Sequence, residues 1–259
     1  MKENKASVEK NSVKWKEKKI ALALEGVEAK VVYLTYEGFD LNTLLVAFGE
    51  KRRVLSTWDG PSEVKFVGNT YTPLTLSKHT MENYEEFQKK FPLVLGIRPE
   101  EIAFLSTGVD MDNLAVCETC YQEFKVCCLA TAGARNNALR TGVDIASYVE
   151  RAGNFASTVG TINVILVTNA VLTDGAMARA IITVTEAKTA ALQDLDYRST
   201  SAPENQATGT GTDNVIIVSG KGSGKPLRLT SGHTKIGELI GVSTKTAVVD
   251  ALKKHDGCI

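Results

Sequence analysis

The order strand, long helix, strand across residues 161–220 constrains this chain more than any other feature. TINVILVTNAVL at 161–172 and DNVIIVSG at 213–220 are rich in β-branched residues and read as strands. Between them, GAMARAIITVTEAKTAALQDL at 175–195 places Met177, Ile181, Val184, Leu192 and Leu195 on one helical stripe. HTKIGELIGVSTKTAVVDALKKH then reads as a closing helix. Strands alternating with helices predict a layered α/β (α+β) sandwich; the alternation does not separate a parallel from a mixed sheet, and a mixed sheet is the expectation.

The first half is strand-rich. IALALEG, AKVVYLTYEG, TLLVAFG and RRVLSTWDGP are separated by glycine turns, and EIAFLSTGVD and EFKVCCLATAG follow. MENYEEFQKKFPLVLGI steps Tyr84, Phe87 and Phe91 at helical spacing, with Pro92 expected to help end the helix. NNALRTGVDIASYVE reads as a helix or a loop. Residues 1–18 read as a lysine-rich mobile lead-in or short amphipathic helix, and residues 19–259 as a single domain.

Thirty Lys and Arg balance thirty Asp and Glu, so no net positive field favours nucleic acid. The charged start and the lack of a run near the ~18 apolar residues of a span predict neither export nor membrane insertion. Five cysteines, an odd number, suit reduced thiols and a cytoplasmic setting. Cys117 and Cys120 form a CxxC without a second chelating pair, and adjacent Cys127 and Cys128 would point to opposite faces of a strand. No structural metal is expected.

Several residues stand out chemically. Lys188 falls on the apolar stripe, where a buried ammonium needs a carboxylate, a lowered pKa or a route to water. Glu186 lies on the opposite face with Arg179 and Gln193, as a solvated residue would. GTGTD at 209–213, with Thr210 and Thr212, can form a nest for an oxyanion, and Asp213 can orient a partner or cap the turn. SGHTKIGELIG sets His233 and Lys235 beside a helix start, a setting for an anion or a neutral imidazole. TAGARNNALRTG exposes Asn137 and Arg140 as hydrogen-bond donors. GKGSGK at 220–225 lacks the spacing and hydroxyl of a nucleotide phosphate loop, because Pro226 follows Lys225.

ATAGARNNALRTG, GTINVILVTNAVLTDGAMARAIITVTEAKTAAL, TGTGTDNVIIV and SGHTKIGELIG, in this order from about 124 to 250, resemble the adenosylcobinamide amidohydrolase family. RRVLSTWDGP resembles the family's earlier strand and turn, with its frequent paired glycines reduced to Gly60. The resemblance implies hydrolysis of the amide joining aminopropanol to a corrin propionate. Adenosylcobyric acid is the expected product, the corrinoid the small-molecule partner, and no cofactor is expected beyond the cobalt of the substrate. A homo-oligomer is compatible with this reading.

GTINVILVTNAVL, its helix and GTGTD also resemble the nucleophile-bearing half of the ornithine acetyltransferase and aminopeptidase superfamily, whose four-layer αββα sandwich is then expected. That resemblance implies Thr161 as nucleophile, the Thr131 to Gly133 turn as oxyanion hole, and scission between Gly160 and Thr161. Water activated by His233, Glu186 or Asp213 is the competing mechanism. A corrinoid carrier without turnover and a self-processing acyltransferase or peptidase are the alternatives in function.

Overall fold

Two-residue periodicity sorts the strands of the first half between two cores. The computed structural model describes residues 12–76, 84–146, 148–149 and 160–257. In it β1 (Ser12–Ile20), β2 (Val27–Tyr36), β3 (Phe39–Ser56) and β4 (Gly60–Tyr71) form an antiparallel meander. Helix α1 (Tyr84–Val94) leads to β5 (Ile102–Thr107), which lies parallel to β4. Along β2, Val27, Ala29, Val31 and Tyr33 enter one core, whereas Val32, Leu34 and Tyr36 enter another with Phe87 and Phe91 of α1.

The second half adds β6 (Ala115–Tyr121), β7 (Phe124–Ala132), β8 (Ile162–Thr168), α2 (Asp174–Asp194), β9 (Asn214–Val218) and α3 (Lys235–Asp256). β8 and β9 are parallel, as the crossover through α2 requires, while β6, β7 and β8 are antiparallel neighbours.

Long β3 joins the two halves. Its first part pairs with β2, a register irregularity falls between Ala47 and Arg52, and Val54 to Ser56 then pair with β9. One mixed sheet of nine strands thus folds back on itself. Ile165, Val167, Ile216 and Val218 of the second half meet Val31, Val46, Val67 and Leu105 of the first between the two halves. On the outer faces, α1 covers the first half, and α2 with α3 covers the second. The arrangement is helix, sheet, sheet, helix, an α/β sandwich.

Two local expectations are corrected. Residues 12–18, read as a mobile lead-in, belong to β1, whose backbone pairs with β2 from Tyr36 to Ala29; residues 1–11 lie outside those described. Pro92 sits inside α1 rather than ending it, buried against the core. Of the helix or loop read after β7, the chain takes the loop, a series of turns through Asp144.

Cys127 and Cys128 do face opposite cores, and burial pushes the Cys128 thiol up to about 12, so neither is a ready nucleophile. Ile165, 1% exposed between the sheet halves, has no surface to relax toward. Ile165→Ala should cost about 2–5 kcal/mol, read as a lower denaturant midpoint with an unchanged m-value.

Candidate active site at the Gly160–Thr161 junction

Strand parity places the site. Ile165 and Val167 of β8 point between the sheet halves, so Asn163 and Thr161, two and four residues earlier, share that face at the strand's entry. Both are buried, and each finds partners. Asn163 Nδ2 donates to Asn69 Oδ1 on β4 at 3.0 Å and to the Ser106 carbonyl on β5 at 2.9 Å. Asn69 Nδ2 donates in turn to Thr131 Oγ1 on β7 at 2.8 Å. The ends of β4, β5, β7 and β8 are therefore tied by side-chain amides, where apolar residues would leave the strand ends to fray.

Thr161 Oγ1 donates to the Thr212 carbonyl at 2.7 Å. The carbonyl of Gly160, one bond before Thr161, accepts from Asn137 Nδ2 and, at 3.1 Å, from Thr212 Oγ1. Two donors aimed at one carbonyl oxygen, beside a hydroxyl, form the polarising arrangement that addition to that carbonyl needs. Gly160 adopts φ +97°, and a Cβ there would come 2.6 Å from Asn137 Oδ1 and 2.7 Å from the Gly133 carbonyl. Only glycine fits. Asn137 Oδ1 is itself buried without a partner among the described residues.

Asp213 anchors the other side. Its carboxylate accepts from Ile162 N at 3.0 Å, Thr210 N at 3.1 Å, Thr210 Oγ1 and Lys188 Nζ. The ion pair is buried, with side chains only 10% and 13% exposed, so Lys188 reaches a carboxylate instead of extending to water. Gly209 makes room, since a Cβ there would meet Asp213 Oδ2 at 2.5 Å and Lys188 Nζ at 2.7 Å. A cavity of about 250 Å³ beside the pair is lined by Thr57, Thr141, Ile181, Gly211 and Val215 among others.

Of the residues singled out in the sequence, the fold gathers Thr161, Asn137, Thr210, Thr212, Asp213, Lys188, Thr131 and Gly133. The Gly133 N–H donates to the Thr161 carbonyl at 3.1 Å. The side-chain donors at the Gly160 carbonyl are Asn137 and Thr212. Arg140 stands nearby but braces the loop, bonding the Gln206 carbonyl at 3.1 Å.

Glu186 is exposed on the solvent face of α2. His233 is exposed before α3, and Lys235 pairs with Glu238 and lies over the Tyr121 ring. Tyr121 marks the β6–β7 hairpin, and the site marks the far end of β7, roughly 25 Å away along that strand. These three residues do not join the cluster. Asn163 and Asn69 were missed, although a lone Asn inside an apolar strand signals a buried amide that must be satisfied. His255, set aside in the sequence, packs its ring against Gly133. No group of three His, Cys, Asp or Glu able to hold a metal occurs among the described residues, and no helix there is long and apolar enough to cross a membrane.

Comparison with known proteins places this geometry in context. A family model described as adenosylcobinamide amidohydrolase matches residues 29–258. An uncharacterized protein of Methanocaldococcus jannaschii is 48% identical over 229 residues, 84% of this chain and 88% of that protein. An adenosylcobinamide amidohydrolase of Methanosarcina mazei is 32% identical over 160 residues, 61% of this chain and 64% of that protein. Among solved structures, the crystal structure of a Pyrococcus horikoshii protein aligns with TM-score 0.40 and 12% identity, over 81% of this chain and 76% of its own.

Two substitutions test the architecture. Gly160→Ala should lose about 1–3 kcal/mol of stability through left-handed strain and the Asn137 clash, measured by urea titration. Lys188→Met should cost about 3–5 kcal/mol by leaving Asp213 buried without its cation, and Lys188→Met combined with Asp213→Asn should recover part of that loss.

Proposed function

The chain belongs to the adenosylcobinamide amidohydrolase family, and we propose that it hydrolyses the amide between aminopropanol and a corrin propionate, releasing aminopropanol and adenosylcobyric acid. Family membership implies an amide hydrolase. The observation that carries the chemistry is the Gly160 carbonyl held by Asn137 Nδ2 and Thr212 Oγ1 with the Thr161 hydroxyl adjacent. It favours a side-chain nucleophile over activated water. Asp213 already accepts four hydrogen bonds, and Glu186 and His233 lie in solvent away from the cluster.

In this reading Thr161 Oγ1 first adds to the Gly160 carbonyl carbon, and the oxyanion is held by Asn137 and Thr212. The C–N bond breaks, the Thr161 nitrogen takes the hydroxyl proton, and water hydrolyses the resulting ester to a Gly160 carboxylate and a free Thr161 amine and hydroxyl. The freed hydroxyl then attacks the substrate amide while its own amine accepts the proton. Aminopropanol leaves with that proton, and water cleaves the acyl-enzyme to release the corrinoid acid. Asn137 Oδ1 is an acceptor suited to the substrate amide N–H. Lys188 and Asp213 are positioning residues, fixing the backbone at Ile162.

Purified protein incubated with adenosylcobinamide should release aminopropanol and adenosylcobyric acid, both followed by mass spectrometry. Binding without release would instead identify a corrinoid carrier. Intact-mass measurement should find a cut before Thr161 in the active protein, and Thr161→Ala should remain whole and lose at least about a thousandfold in turnover. Full activity in uncut protein would exclude the freed amine as base.

A further inference from the structure

The site has an aromatic neighbour that the catalytic chemistry does not use. Trp58 occupies the turn between β3 and β4 and is 37% exposed. The turn is rigidly held: Ser56 Oγ accepts from Trp58 N and Asp59 N, each at 3.1 Å. Thr57 exchanges hydrogen bonds with Val215, and its hydroxyl donates to Asn214 Oδ1 at 3.0 Å. Asn214 directly follows Asp213 of the site.

The indole packs edge-on against Tyr84 of α1, with ring centroids 5.0 Å apart at 75°. Tyr84 OH lies 3.3 Å from Ser106 Oγ, and the Ser106 carbonyl accepts from Asn163. Among the described residues strand β5 pairs with β4 alone, so Ser106 stands on a sheet edge. The Trp58–Tyr84 contact thus spans from the turn beside β9 to that edge, bordering the catalytic cluster on two sides. Burial keeps the Tyr84 hydroxyl neutral, with its pKa pushed up to about 12. The apolar surface offered is that of the indole, beside the exposed Asp59 carboxylate that accepts from Gln88 Nε2 at 3.1 Å.

A half-exposed tryptophan on a turn fixed by five hydrogen bonds gives large contact area at little conformational cost on binding. We propose that Trp58, backed by Tyr84, is a specificity-determining platform that packs against the conjugated macrocycle of the corrinoid while its amide arm reaches Thr161. This rests on the corrinoid reading above.

The test separates the two. The chain's other tryptophan is Trp15, so a Trp15→Phe protein reports on Trp58 fluorescence alone. Adenosylcobinamide should quench that fluorescence saturably. Trp58→Ala should weaken binding and raise KM about tenfold, with the loss in KM rather than kcat, and Trp58→Phe should restore most of it. Cobinamide lacking the adenosyl group should suffer the same loss. A penalty confined to the adenosyl form would overturn the macrocycle assignment, as would an unchanged KM in Trp58→Ala that still releases aminopropanol. Binding that Trp58→Ala weakens about tenfold, without hydrolysis by the parent protein, would keep the platform and remove the hydrolase reading. Neither quenching nor hydrolysis would overturn both.

Discussion

A lysine on the buried stripe of a helix has to find a carboxylate, and the site is organised around the one it finds. Lys188 extends from α2 to Asp213 at the entry of β9, so the ion pair fixes the crossover helix against its strand. Asp213 simultaneously takes Ile162 N, which fixes the backbone immediately after Thr161. Buried charge is costly unless every lone pair is used, and here Thr210 supplies two further donors. The pair contributes position more than stability: it sets where one peptide unit lies.

The second organising constraint is the alternation of side chains on strands buried on both faces. β8 sends Ile162, Val164 and Leu166 to the helices and Ile165 and Val167 to the inner core. The inner face therefore also receives Asn163 and Thr161, at the end where the apolar core gives way to amides and hydroxyls. Folding one sheet back through β3 is what brings Asn69 and Ser106 of the first half within hydrogen-bond reach of that face. The position of the Gly160 carbonyl is then a local consequence of a turn that only glycine can make.

Much of this was legible along the chain. The strand, helix and strand of 161–220, the closing helix and the misplaced polarity of Lys188 follow from periodicity, and the solvated setting of Glu186 does too. What periodicity did not reveal were partners. Asn69 and Asn163 lie 94 residues apart in sequence, and no local pattern states that two amides will meet. The lysine-rich start looked mobile because charge opposes burial, yet β1 satisfies its backbone against β2 and leaves Lys14, Lys18 and Lys19 in water. The helix-start setting of His233 and Lys235 was read correctly as local structure, since Thr234 caps α3. Its placement at the hairpin end of β7 is a property of the fold.

The sequence by itself determined the elements and their polarity, because side-chain period and glycine placement act within a few residues and need no distant partner. It also carried the motifs that identify the family. Only the tertiary structure decided that the sheet doubles back, that Asp213 answers Lys188, and that Asn137 and Thr212 converge on the Gly160 carbonyl. Those are encounters between groups far apart in the chain, fixed by core packing between the two sheet halves and by the need of each buried polar atom for a partner.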